Sequence, residues 1–225
     1  MRAPRRLLKD ARLSTVPAMR FCALLLIVAV VACAPREIGS AAATPAVANW
    51  RNVATSSDRA RLRDWRKAWT EALAGARTSN GAEIAAEGVL LDPDAALAEA
   101  VPPAGDYRCR TIKIGAKSEG LLDYVAYPAL KCRIEAAGPE GTMGFVKLTG
   151  SQRPIGRLFP DRERRMIFLG TNQLGDEKGI MRYGRDTDRD MVALLERIGD
   201  RRWRLVFPYP HFESVVDVIE LVPSA

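Results

Sequence analysis

The chain has 225 residues, with 34 Lys and Arg against 27 Asp and Glu and a formal net charge of +7. Six of the basic residues and one acidic residue fall in residues 1–32, which leaves 28 against 26 in the remainder, a net of +2. A nucleic-acid surface needs a basic footprint clustered in the folded domain, so that partner class is excluded, and the length suits one domain or one small helical unit plus one domain.

Residues 21–33 form an apolar run, Phe-Cys-Ala-Leu-Leu-Leu-Ile-Val-Ala-Val-Val-Ala-Cys, behind a basic leader. A membrane-crossing helix needs roughly twenty apolar residues, and this run is too short. A basic stretch, a short apolar stretch and small residues at its end make a secretory signal peptide. Met19-Arg20 opens a signal of more usual length, so translation starts at either Met1 or Met19. Val30-Val31-Ala32-Cys33 resembles a bacterial lipobox. That resemblance implies a cut before Cys33 and acyl chains on it, so residues 1–32 are expected to be a lipoprotein signal. A cut in Ala41-Ala42-Ala43 is the alternative; Pro35 disfavours ordinary cleavage next to Cys33. Two or more acyl chains hold a protein stably at a membrane. The expected location is therefore exported and periplasm-facing. Ala34, where an Asp would signal retention, implies the outer membrane by resemblance to Gram-negative sorting.

Residues 33–47 are small, weakly apolar and Pro-containing, the composition of a flexible tether. Residues 48–104 read as a helical segment. Thr55-Ser56-Ser57-Asp58 supplies N-cap residues. Leu62, Trp65, Trp69 and Leu73 then recur at helical spacing, which predicts a helix over 58–77. At that spacing the two tryptophans read as core; a ligand platform is the sharper alternative. Asn80-Gly81 breaks the helix, 82–87 forms a short one, and Asp92-Pro93 predicts a last helix to about Ala100.

From Gly105 the period falls to two. Tyr107, Cys109, Thr111 and Lys113 share one face of a strand, and Arg108, Arg110, Ile112 and Ile114 the other. Extended runs follow at 123–134, 145–148, 157–159, 166–169, 180–183, 191–198, 203–207 and 215–221, separated by Gly, Asp, Asn and Pro. Residues 191–197 could also form a helical turn. Many short strands with regular turn signals and no long helix between them predict an antiparallel barrel or strongly bent sheet over 105–225. The fold class is α+β.

Cys22 belongs to the signal and Cys33 to the lipid, so Cys109 and Cys132 are left as an isolated pair. In an oxidising compartment such a pair predicts a disulfide. No cofactor is expected.

Gly184-Arg185-Asp186-Thr187-Asp188-Arg189-Asp190 places Asp186, Asp188 and Asp190 at alternate positions, a weak calcium pattern. The position where a calcium loop supplies a bidentate Glu is Arg197, so a solvated hairpin turn is the plainer reading. His211 is the sole histidine; Ser214 and Glu213 lie too close to it in sequence to suggest a triad, and Ser151 reads as a turn residue. Asp161-Arg162-Glu163-Arg164-Arg165 is a charged loop between strands that could receive an acidic partner. No spacing singles out a carboxylate pair for glycoside hydrolysis.

Tyr107-Arg108-Cys109-Arg110, Leu148-Thr149-Gly150-Ser151-Gln152-Arg153, Gly156-Arg157-Leu158-Phe159-Pro160-Asp161, Phe168-Leu169-Gly170, Arg202-Trp203-Arg204-Leu205-Val206 and Glu220-Leu221-Val222-Pro223 resemble the uncharacterised proteobacterial envelope family DUF4893. The likeness covers about residues 48–223 and implies no activity and no catalytic residues. A weaker likeness is to lipid-anchored β-barrel inhibitors of periplasmic metalloproteases, which share a lipobox, a tether, one disulfide and an eight-stranded barrel; the helical segment here departs from that pattern. The sequence therefore points to an exported, lipid-anchored envelope protein acting as a binding or structural module, held at the membrane through Cys33 and meeting an envelope protein partner. A periplasmic protease inhibitor and a carboxylate-dependent hydrolase of an envelope glycan are the alternatives. Substrate and oligomeric state stay open.

Overall fold

A computed structural model of the chain describes residues 46–175, 177–179 and 181–224. The expected signal peptide, Cys33 and most of the expected tether lie outside the described residues.

The helical segment starts where the sequence places its caps. The Thr55 hydroxyl accepts the Asp58 amide at 3.1 Å and opens α1 (Ser56–Arg63). The expected single helix is broken at Asp64, whose φ of −91° and ψ of 9° separate α1 from α2 (Trp65–Ser79). The break lets α1 lie on one strand, β7 (Asp190–Gly199), while α2 lies on β1 (Gly105–Ala116) and β9 (Ser214–Pro223). α3 (Gly81–Glu87) and a 3-10 turn at Gly88–Leu91 complete the segment.

The helix expected from Asp92-Pro93 to Ala100 does not form. The Asp92 side chain accepts the Asp94 amide at 2.9 Å and makes a local turn. The backbone groups of 92–104 are taken by the barrel instead. Leu97 bridges to Arg197, the Trp203 indole donates to the Ala100 carbonyl at 3.1 Å, and the Tyr107 hydroxyl donates to the Pro103 carbonyl at 2.6 Å. Two turns of isolated helix are marginal in water, and these tertiary partners outcompete them.

Between β1 and β9 run β2 (Tyr124–Ala126), β3 (Leu130–Ile134), β4 (Met143–Lys147), β5 (Gln152–Arg162), β6 (Arg165–Leu174), β7 and β8 (Arg202–Pro208). All neighbours are antiparallel, and β1 closes the ring by pairing with β9. Eight strands, β1 and β3 to β9, make the barrel; β2 is an extra strand on β1. The expected run at 123–134 is thus two strands, and 181–183 is not a strand. Residues 191–197 are a strand and not a helical turn. The barrel and the disulfide are as the sequence predicts, with Cys109 and Cys132 bonded inside the barrel across β1 and β3.

The inside of the barrel is apolar at the end where β1 begins. Phe145, Phe168 and Phe207 meet edge to face at 5.6 and 5.8 Å, and Tyr107 meets Trp203 at 6.4 Å. Gly156 and Gly170 are paired across β5 and β6, and the Phe168 ring occupies the place a side chain at Gly170 would need. Segment 97–104 crosses this closed end.

The outer wall is apolar as well, because α2 covers it. Ala68, Trp69, Ala72, Leu73 and Ala76 pack on Ile112, Ile114, Val216 and Val218. The alanines let the helix approach closely: a Cβ at Gly115 would sit 2.8 Å from the Ala72 Cα, and Gly115 itself has a φ of +75°. Arg204, fully buried on this outer face, ties the helical segment down. Its Nε and Nη2 donate to Glu196 at 3.0 and 2.8 Å, and its Nη1 donates to the carbonyls of Leu90 and Asp92 at 2.9 and 2.7 Å.

Candidate functional site

The opposite end of the barrel interior is polar. The period-two alternation that points Tyr107 and Cys109 inward also points Thr111 and Lys113 inward. Register places Asp217 directly across from both Lys113 and Phe207. Lys147 of β4, Gln152 of β5 and Asn172 of β6 complete the set. Thr111, Lys147, Gln152, Asn172 and Asp217 line a cavity of about 20 Å³ floored by Met191, Phe207 and Ile219.

The wall beside them is incomplete. On one edge of β1, β3 pairs only with residues 105–109 and β2 only with 112–114. Pro128 sits in the link between them and has no amide to extend the ladder. The β4–β5 turn, where Gly150 has a φ of +98°, stands across the gap. The result is a lateral slot of about 320 Å³. Tyr127, Pro128 and Leu130 give it an apolar side; Lys113, Lys147, Gln152 and Glu213 give it a polar one. Thr111, Lys147 and Gln152 line both the slot and the inner cavity, so the two adjoin.

Charge is distributed unevenly here. The Lys113 ammonium lies 3.4 Å from Asp217 and 2.8 Å from Glu213, and donates to the Gln152 amide oxygen at 3.4 Å. Burial pulls its pKa down, but Asp217 and Glu213 outweigh burial and the net direction is up. Asp217 also moves up, because burial outweighs the Lys113 charge and the Ser214 hydroxyl that donates to it. Lys113 has two carboxylates, while Asp217 shares its single ammonium with Glu213; the burial of Asp217 decides its direction.

Lys147 is different. It is 7% exposed, and its hydrogen-bond neighbour is the Thr111 hydroxyl at 3.5 Å. Among the described residues no carboxylate stands within ion-pair distance of it. Burial lowers its pKa, and Lys113 lowers it further, with Asp217 opposing. The buried Oδ1 of Asn172 has no hydrogen-bond partner among the described residues. Buried polar groups are normally satisfied, so these two mark where a ligand atom or water is wanted.

The loop between β8 and β9 reaches this site under strain. Tyr209 and Glu213 both adopt left-handed backbone, with φ of 47° and 68°. Such residues cost of order 1–3 kcal/mol each and persist only where surroundings enforce them. The loop is held by Lys113 on Glu213 and by the Lys117 ammonium donating to the Pro210 carbonyl.

Of the residues singled out from the sequence, some line the slot or a recess beside it and others lie elsewhere. Asp188, Asp190 and His211 line a recess of about 30 Å³, room for about two waters and not for a sugar ring; it shares Asn172 and Asp217 with the inner cavity and so adjoins it. Asp190 accepts the Gly184 amide at 2.8 Å, and its other oxygen is buried with no partner among the described residues. Asp186 accepts the Asp188 amide at 3.1 Å and pairs with Arg189 at 3.6 Å, so it orders the turn. Among the described residues no group of three or more His, Cys, Asp or Glu is placed to hold a metal ion. Burial lowers the His211 pKa, with Arg61 next. Ser151 stands on the slot rim. Of the expected charged loop, Asp161 and Arg162 end β5 and Arg165 opens β6, which leaves only Glu163 and Arg164 as the turn; Asp161 accepts the Trp50 indole at 2.7 Å and pairs with Arg51 at 3.1 Å. Trp69 is core, under the Arg204 guanidinium at 5.3 Å. Sequence reasoning missed Lys113, Lys147, Asn172 and Asp217 as a set; the one available signal was Lys113 sharing a face with Cys109.

The family model Domain of unknown function (DUF4893) matches residues 50–221. The chain belongs to this family. The DUF4893 match begins at Trp50 and ends in β9, so it takes in the helical segment, the closed barrel and every residue of the slot. No curated protein and no solved structure matches the chain.

Proposed function

We propose that this DUF4893 chain is an exported, lipid-anchored envelope module that binds a small molecule and catalyses nothing. One observation carries the binding part: a slot of about 320 Å³ through the barrel wall ends at a buried ammonium without a carboxylate partner among the described residues. That volume lies in the range of small-molecule sites, which combine an apolar lining with a few placed polar groups. Eight-stranded barrels are just wide enough to be filled by side chains or to hold one small ligand. The export part is supported by the apolar run 21–33 and by Val30-Val31-Ala32-Cys33, and agrees with a structural disulfide, which belongs to oxidising compartments.

Binding is tested with the uncharged fluorescent probe phenylnaphthylamine on the purified protein. Saturable binding at one site, weakened by Ser151→Trp at the slot rim, is expected. Binding that Ser151→Trp leaves untouched, or no saturation at all, overturns the reading. A mass spectrum of the processed N-terminus tests the anchor: acyl chains on Cys33 are expected, and a free N-terminus downstream overturns it.

A further inference from the structure

We infer that the slot selects a small amphipathic organic monoanion, its acid group seated on Lys147 and its apolar body against Tyr127, Pro128 and Leu130. This rests on the slot being the ligand site. It adds the charge, the shape and the anchoring atom.

The charge follows from how the cations and acids are matched. Two ammonium groups and two carboxylates line the slot and the inner cavity, Lys113 and Lys147 against Asp217 and Glu213. Both carboxylates are on Lys113, at 3.4 and 2.8 Å. Lys147 is left with a neutral hydroxyl at 3.5 Å. A buried charge is costly unless it is paired and hydrogen-bonded, and one more negative charge at Lys147 completes the set. A dianion would bring a second charge to a slot whose other lining cation, Lys113, already holds two carboxylates.

The shape follows from the two sides of the slot. Lys147 lies where the slot meets the inner cavity, beside Thr111 and Gln152, which can donate further hydrogen bonds to an acid group. Outward from there, one side is apolar and part-exposed: Tyr127 is 42% exposed and belongs to neither core cluster. Glu213, at 45% side-chain exposure, rims the polar side and opposes an incoming anion until it is neutralised. Its strained backbone and its ion pair with Lys113 make it the adjustable part of the rim.

The experiment compares anilinonaphthalene sulfonate, a monoanion, with phenylnaphthylamine, the same ring system without the sulfonate, by fluorescence titration of the purified protein. Hydrogen bonds to charged groups predict that the sulfonate binds about tenfold more tightly or better. Lys147→Met is expected to erase that ratio by weakening the sulfonate, while Glu213→Gln raises the sulfonate's affinity several-fold. Lys147→Gln, which keeps a polar group of similar length, should behave as Lys147→Met does, so a packing defect in one variant does not decide the result. Octanoate should displace the sulfonate, and octanol should not. Equal affinities for the two probes, or a ratio that Lys147→Met and Lys147→Gln leave in place, overturns the anion inference; the slot reading stands in that case if Ser151→Trp weakens both probes. Failure of both probes to bind overturns the two together.

Discussion

Two buried charge clusters lie on neighbouring walls of one barrel, and they are finished differently. On the outer wall, Glu196 and Arg204 sit on paired positions of β7 and β8, sealed under the helical segment. Their hydrogen bonds are complete: Arg204 commits Nε and Nη2 to Glu196 and Nη1 to backbone carbonyls, and the other Glu196 oxygen takes Arg165 at 2.8 Å. On the inner wall, Lys113 and Asp217 are also on paired strands, β1 and β9. Yet Lys147 beside them has no acid, and Asn172 has an idle oxygen, among the described residues. Burying a charge is costly, and a fold offsets that cost only when the partners are complete. The complete cluster fastens helices to barrel; the incomplete one faces a slot. Polar burial alone does not mark a binding site, but polar burial left unfinished beside an opening does.

The difference can be broken from either side. Arg204→Met leaves Glu196 buried with Arg165 alone and frees the carbonyls at Leu90 and Asp92; a loss of about 3–5 kcal/mol is expected from removing one partner of a buried pair, read as a lower urea midpoint. A result within experimental error of the parent would show that the outer cluster is as dispensable as an exposed pair.

The β1–β3 seam repeats the contrast, stapled at the closed end and open at the slot. Replacing Cys109 and Cys132 together with Ala removes a cross-link whose ends are 23 residues apart in sequence. Chain-entropy arguments give roughly 3.5 kcal/mol for that loop. Thermal unfolding with and without reductant should show the parent falling to the level of the double variant.

Lys147→Met is expected to act in the opposite direction. It removes an ammonium without a carboxylate from a buried site, so stability should rise by about 1 kcal/mol, the usual size of such gains, while anion binding is lost. A clear loss of stability would mean that Lys147 is structurally satisfied. The smallest effect is in alkaline solution. The folded protein holds the Lys147 proton less tightly than the unfolded chain, whose lysine has the ordinary value of 10.5. Between those two pKa values the unfolded state binds more protons, so stability contributed through this group rises with pH across that window. The difference in stability between Lys147→Met and the parent should therefore shrink as pH rises toward 10.5, and a difference independent of pH would contradict the lowered pKa.

What could be read from the chain in advance follows local rules. The helical spacing of Leu62, Trp69 and Leu73, the caps at Thr55, and the period-two face of β1 need only nearest neighbours. The disulfide follows from the cysteine count. The errors fall where tertiary partners intervene. Residues 92–100 carry a helix signal, but the closed end of the barrel takes their hydrogen bonds. Residues 191–197 read ambiguously because β7 is buried on both faces, by barrel core inside and helices outside, so its apolar residues run on without alternation.

The site itself was half legible. Thr111 and Lys113 were visibly on the face of Cys109, yet a face does not say whether it turns to solvent or to a barrel interior. Lys147, Asn172 and Asp217 come from three other strands, up to 104 residues from Lys113 in sequence, and only register brings them together. The sequence by itself determined most of the elements, the disulfide pair and the expectation of export, because each depends on residues close in the chain or on composition. Which cations find acids and which is left facing an opening was decided by the tertiary structure alone. Ion pairing in a barrel is fixed by closure, and closure is a property of all eight strands at once.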